Sequence, residues 1–162
     1  MLAAHGIEAI ADVRRFPGSR RHPQFGRDAL SASLARAGID YHGFPDLGGR
    51  RTPRPDSHNT AWRNAAFRGY ADYMETADFA NAIQRLESIA ARRRTAVLCA
   101  EALWWQCHRA LISDYFKVHG VDVLHIGDAK HASAHPFTKA AQTIEGRLSY
   151  GASQLALTPP KQ

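Results

Sequence analysis

Short apolar runs alternate along this chain with stretches whose apolar residues recur every three to four positions, the pattern of strands interleaved with helices. Met1 to Gly6 looks like the last turn of a helix closed by Gly6, and Ile7 to Val13 then reads as a strand with Asp12 near its carboxyl end. Asp28 to Ala37 places Leu30, Leu34 and Ala37 on one face, which predicts a helix ended by Gly38. Ile39 to Phe44 alternates apolar and polar residues and predicts a second strand. Phe67 to Met74 predicts a short helix. Thr76 is placed as the N-cap of a longer one reaching about Ala91, with Phe79, Ile83, Leu86 and Ala90 as its core face.

Thr95 to Ala100 is rich in β-formers and too short for a helix core, so it reads as a strand buried on both faces. A loop, Glu101 to Gln106, leads into a predicted helix from Cys107 to His119, with Leu111, Ile112, Tyr115, Phe116 and Val118 as its apolar stripe and Gly120 as its terminator. Val121 to Ile126 is a further strand, and Gly127 to Gln162 shows little period. The order predicts an α/β fold: a three-layer sandwich with a mainly parallel central sheet, a single domain over 1–148 and a C-terminal tail over 149–162.

Two segments break the pattern. Arg14 to Gly26 holds four arginines, two prolines and two glycines, and it follows a strand at the end where α/β proteins bind ligands. Pro45 to Ala66 has no apolar period and contains Arg50, Arg51, Arg54, His58, Trp62 and Arg63, charge and an aromatic platform together.

Composition sharpens this picture. The net charge is +6 with a pI near 9.7, and 17 of the 21 cations are Arg. Residues 1–68 carry 11 Arg, no Lys and six acids. Arginine grips phosphate and carboxylate through a planar fork, so the expected partner is an anionic small molecule or nucleic acid. Two cysteines, no signal-like segment and no apolar run of the roughly 18 residues a membrane span needs predict a cytoplasmic protein with no membrane partner. Nothing in the sequence assigns an oligomeric state or a cofactor.

The candidate chemistry lies between Cys99 and Arg109. Cys107, at a predicted helix start beside Arg109, is either a nucleophile with a depressed pKa or a small buried hydrophobe. Cys99, inside a strand, reads as packing. His108 at a helix start is expected to be neutral and able to move a proton, with Glu101 as the other candidate for that task. Arg109 contacts an anion or Glu101. A metal held by Cys99, Cys107, His108 and Glu101 is the less favoured option, because structural zinc sites normally use close pairs such as C-x₂-C and this chain has none.

DVRRFPGSRRHPQF at 12–25, LGGRR at 47–51, FRGYADYM at 67–74 and CAEALWWQCHR at 99–109, in this order, resemble the domain of unknown function 488 family from Gly6 to about Leu148. The resemblance implies a bacterial or archaeal cytoplasmic α/β protein without an established activity. It marks Asp12, Arg14, Arg20, Arg21, Gly48, Gly49, Arg68, Tyr70, Cys99, Glu101, Cys107, His108 and Arg109 as the family's polar motif positions. It also implies a strand ending in Gly-His-Ser or a similar motif ahead of the first one read here, so the chain is expected to lack the family's first strand.

The expected function is binding of a phosphate-containing anion, nucleotide or nucleic acid, at the carboxyl ends of the strands. Arg14, Arg20, Arg21 and Arg109 are the expected anion contacts, Asp12, Arg68 and Tyr70 complete the ligand site, and Glu101, Cys107 and His108 are the catalytic candidates. Two rivals stand beside it: a rhodanese-like thiol enzyme using Cys107, and a non-catalytic nucleic-acid-binding module using the basic loop with Trp62, Trp104 and Trp105.

Overall fold

The computed structural model describes residues 1–18 and 21–151. Strand β1 (Ala9–Asp12) lies between β2 (Asp40–Gly43) and β3 (Thr95–Leu98) in a three-stranded parallel sheet. Its register sets Asp12 opposite both Gly43 and Leu98, so the three carboxyl ends are level. All four residues of β1 are buried, because it is the central strand and both of its faces are covered.

Side-chain alternation along this strand divides the core in two. Ile10 joins Ile7, Leu34 and Ile39 in a cluster with Leu30 of α1 (Arg27–Arg36). Ala11 and Val13 belong to a larger cluster with α2 (Ala65–Tyr73), α3 (Ala77–Ala90) and α4 (Arg109–Val118), where Tyr70, Phe79, Leu86, Leu111 and Ile112 are fully covered. Helices therefore occupy both faces, and the expected α/β architecture is present. The Thr76 hydroxyl caps α3 by accepting from the Phe79 amide, as its position suggests.

Several elements differ from the sequence reading. Met1 to Gly6 contains one 3₁₀ turn, Ala3–His5, closed by Gly6 at φ 62°. Strand β3 is half-buried along its length, since among the described residues no further strand pairs with its outer side. The strand expected at Val121 to Ile126 shortens to β4 (Leu124–Ile126) and leaves the main sheet to pair antiparallel with β5 (Ala132–Ala134). A second hairpin, β6 (Gln142–Ile144) and β7 (Arg147–Ser149), follows where little periodicity was visible. Three-residue strands are too short to show a period.

What docks these hairpins on the helices is polar. Asp114 of α4 is completely buried and accepts from His135 Nε2 at 3.0 Å, the Thr138 amide at 2.9 Å, the Thr138 hydroxyl at 2.6 Å and the Tyr150 hydroxyl at 2.9 Å. His135, itself buried, meets His125 Nε2 through Nδ1 at 2.8 Å, and the His125 ring stacks on Trp104 at 4.1 Å. With the His135 Nε2 proton given to Asp114, its Nδ1 is left to accept from His125. Strand β7 and the buried Tyr150 span the start of the expected tail, whose residues from 152 on lie outside the described residues.

Truncating Asp114 would leave four donors without an acceptor, two of them, His135 Nε2 and the Tyr150 hydroxyl, on buried residues. Asp114→Ala is expected to cost about 3 kcal/mol or more in urea unfolding, and a loss below about 1 kcal/mol would contradict this account. Burial first, then the neighbouring His135 and Arg109 charges, hold the His125 pKa down to about 4. Below the unfolded value near 6.5 the unfolded chain takes up a proton that the folded one refuses, so stability should fall as pH drops from about 6.5 to 4. His125→Gln should flatten that part of the stability–pH curve.

Candidate functional site

The site is assembled from three loops at the level carboxyl ends of the sheet. Asp12 ends β1 and is buried, yet it accepts from the Arg14 amide at 3.1 Å, Arg14 Nε at 2.8 Å, Arg14 Nη2 at 2.6 Å and the Tyr41 hydroxyl at 2.7 Å. Burial works to raise its pKa, but the bonds from Arg14 and Tyr41 outweigh it and hold the carboxyl below its usual range. Arg14 also donates to the Phe25 carbonyl, so its fork is engaged inside the protein and fixes the turn after β1.

The second loop follows β2. A 3₁₀ turn, Pro45–Leu47, carries the chain into Gly48 and Gly49. A Cβ on Gly48 would stand 2.7 Å from the Arg15 Cβ, and one on Gly49 would stand 2.8 Å from His108 Nδ1. Only glycine permits both approaches. The next residue, Arg50, has φ 60°, a left-handed conformation that is uncommon away from glycine and tends to occur at functional sites. The turn is held from α2: Tyr70, fully buried, donates its hydroxyl to the Leu47 carbonyl, and Tyr73 donates to the Asp46 carbonyl. Arg51 donates to the carbonyls of Gly48 and Asp46 and lies 3.6 Å over the Tyr73 ring.

The third loop runs from β3 to α4. Cys107 precedes the helix in extended conformation, φ −134° and ψ 151°, and His108 rather than Cys107 is the N-cap residue. The helix therefore starts two residues later than its apolar stripe suggests. Cys107 is buried, Cys99 is half-buried, and both are free thiols. Hydrogen bonding from the Cys107 thiol lowers the Cys99 pKa to about 6, with the Glu101 and Ala100 amides and the Arg109 charge assisting against burial. The same bond, together with burial, pushes the Cys107 thiol up. The lower pKa thus sits on Cys99, which the sequence reading treats as packing. The signal that finds it is tertiary, because a strand end, a second thiol and an arginine must meet.

His108 Nδ1 lies 3.5 Å from Cys107 Sγ, and burial lowers its pKa to about 4. One donor atom from each of Cys99, Cys107 and His108 falls within 4.8 Å of the others, a grouping that can hold a metal. Arg109 donates to the Glu101 carbonyl, while among the described residues its Nε is buried without an acceptor, as is Arg68 Nε. Among the described residues Arg15, Arg50, Arg51, Arg68 and Arg109 form no ion pair. Glu101 and Arg21 are exposed, and Arg20 lies outside the described residues.

The turn after Asp12 and the tip of α4 are thus joined through Gly48 and Gly49, which touch Arg15 on one side and His108 on the other. Their meeting follows from the glycine pair more than from either loop. The family model for Domain of unknown function DUF488 matches residues 1–116. The chain belongs to that family. The match takes in all three loops and ends within α4, ahead of both hairpins. No curated protein and no solved structure matches the chain.

A concavity of about 500 Å³ lies beside α3, lined by Asp46, Arg51, Tyr73, Asp78 and Arg85 among others. Its Arg85 is already paired with Asp46 at 2.8 Å, and neither cysteine borders it. The buried Arg109 Nε and the thiols favour the strand ends as the site instead.

In the reduced, metal-free chain, Cys99 is expected to alkylate at pH 7 well before Cys107. Peptide mapping after iodoacetamide treatment checks this, and equal labelling would contradict it. Gly49→Ala should cost about 1–3 kcal/mol by forcing the His108 ring away, read as a lower midpoint in urea.

Proposed function

We propose that the protein binds a phosphate-bearing anion of nucleotide size over the carboxyl ends of β1, β2 and β3. The observation that carries this reading is Arg109. Its Nε is buried at the first turn of α4 with no acceptor among the described residues. A buried unmade hydrogen bond costs roughly 1–3 kcal/mol, and an oxyanion placed there would recover it. No side chain caps α4, so its dipole favours negative charge at the same place.

Arg15, across the glycine pair, is exposed, and among the described residues its side chain makes a long 3.4 Å contact to the Arg50 carbonyl. Arg14 serves by shape, since its donors are taken by Asp12 and Phe25. Tyr70 likewise acts through the Leu47 carbonyl, positioning Gly48 and Gly49. His108 is neutral at pH 7, which leaves the arginines as the source of attraction. An enzymatic role would draw on Glu101 or His108 for proton transfer.

A small anion fits better than a nucleic acid. Of the tryptophans a strand would stack on, Trp62 is packed against Phe67 and Tyr150, and Trp104 is covered by His125. Trp105 alone of the three is exposed. A thiol enzyme built on Cys107 has less support, because that sulfur is buried and its thiol is pushed up.

Thermal melting against phosphate, pyrophosphate, AMP, ADP and a single-stranded oligonucleotide tests the proposal. A ligand at 100 times its Kd should stabilise by about 2.7 kcal/mol. Arg109→Lys and Arg15→Gln should each weaken the response about tenfold in ligand concentration while leaving the unliganded melting temperature close to wild type. No stabilisation by any member of the panel at millimolar concentration would overturn the reading, and a response confined to the oligonucleotide would transfer it to nucleic acid.

A further inference from the structure

The Cys99, Cys107 and His108 grouping goes beyond anion binding. Residues eight and one positions apart are brought together because β3 ends at Leu98, the chain loops through Trp104–Gln106, and α4 starts back over the strand end. Their donor atoms lie within 4.8 Å of one another without any bound ion. A tetrahedral zinc with Zn–S near 2.3 Å and Zn–N near 2.0–2.1 Å requires S···S edges of roughly 3.8 Å and S···N edges of roughly 3.5 Å. The Cys107 Sγ to His108 Nδ1 separation is 3.5 Å.

We infer that Cys99, Cys107 and His108 form a three-ligand zinc site, with Cys99 Sγ, Cys107 Sγ and His108 Nδ1 as donors and the fourth position open. Two thiolates and an imidazole are a soft donor set suited to zinc and poorly suited to magnesium or calcium. The ring nitrogen that meets the sulfur lies 3.5 Å from it, so zinc there would take the place of an S–H···N contact. Zinc also resolves the crowding of two adjacent thiols, replacing their protons with one cation that both sulfurs share.

The surroundings fit an open site rather than a closed one. Three protein ligands leave room for a water or substrate oxygen, as catalytic zinc sites do and four-ligand structural sites do not. Cys99 is half-buried, which gives that position a way to solvent. Gly49 bears on the same point: its missing Cβ lets the backbone lie against the His108 ring and fixes the ring's place beside Cys107. The inference needs neither Arg109 nor Arg15 as a ligand, so it stands or fails separately from the anion proposal.

The test uses the whole chain, purified reduced and stripped with a chelator, then titrated with zinc against a chromophoric chelator and, in parallel, with cobalt(II). One equivalent should bind, with a thiolate-to-cobalt charge-transfer band and the intense visible bands of a tetrahedral ion. Cys99→Ser should weaken zinc by more than about 100-fold, since even outer partners of a metal site cost roughly 10–100-fold. His108→Gln should weaken it as well. Zinc should also protect Cys99 from iodoacetamide. His131→Ala, which alters an exposed histidine paired with Asp128, should leave the affinity unchanged. Zinc binding that survives Cys99→Ser, a cobalt spectrum without the sulfur band, or a pair that oxidises to a Cys99–Cys107 disulfide and takes up no metal would each overturn the inference. Cys99→Ser is the deciding variant because its side chain is half-buried, and its melting curve shows whether it folds.

Discussion

The whole strand-end region depends on two backbone approaches, Gly48 against Arg15 and Gly49 against the His108 ring. The loops after β1, β2 and β3 each leave the sheet at the same level, but nothing in a parallel sheet forces them to converge. The glycine pair does so by letting a single segment lie against both neighbours without a side chain between them. Everything that holds that segment serves the same end. Tyr70 and Tyr73 donate to its carbonyls from α2, and Arg51 spans its turn while lying over the Tyr73 ring. The left-handed Arg50 that follows is the conformational cost of turning the chain out again.

Acids and bases are used differently in this molecule. The buried carboxylates are saturated: Asp12 by Arg14 and Tyr41, Asp114 by His135, Thr138 and Tyr150, and Asp72 by Ser57, Asn59 and the Arg54 amide. Each fastens one segment that lacks an apolar period. Asp12 fixes the arginine-rich turn, Asp72 pins the long loop between β2 and α2, and Asp114 docks the hairpins. A buried carboxylate with several donors specifies geometry where short or irregular segments bury too little apolar surface to do so. Apart from Arg14, the arginines at the strand ends, Arg15, Arg50, Arg51 and Arg109, have no carboxylate partner among the described residues, and this asymmetry gives the net charge of +6 a local address.

The region beyond residue 116 adds a separate layer. The family match ends inside α4, yet Asp114 reaches from that helix to His135, Thr138 and Tyr150 in the following segment. Trp104, in the loop that carries the thiols, is covered by His125 of β4. The hairpins therefore brace the cysteine loop from outside, and no helix of the described residues is long and apolar enough to cross a membrane.

Much of the fold was legible in the chain itself. Ile7 to Val13, Ile39 to Phe44, the Thr76 cap and the spacing of Phe79, Ile83 and Leu86 each carry a local signal, because period and capping report which face of an element is apolar. Of the two β-hairpins only β4 was legible, inside the longer run Val121 to Ile126, since strands of three residues have no period, and β3 was read as doubly buried because composition does not say whether a strand lies at an edge. Among site residues, Asp12, His108 and Arg109 could be placed by their position at strand and helix ends. Tyr70 could be picked out by its motif, but its role in holding the Leu47 carbonyl could not. By itself the sequence determined the elements as far as α4, their order and the basic character of the strand ends, all properties of neighbours along the chain. Tertiary structure alone decided that Cys99, Cys107 and His108 bring their donor atoms within 4.8 Å of one another, because those distances depend on how a sheet edge, a glycine pair and a helix tip pack together.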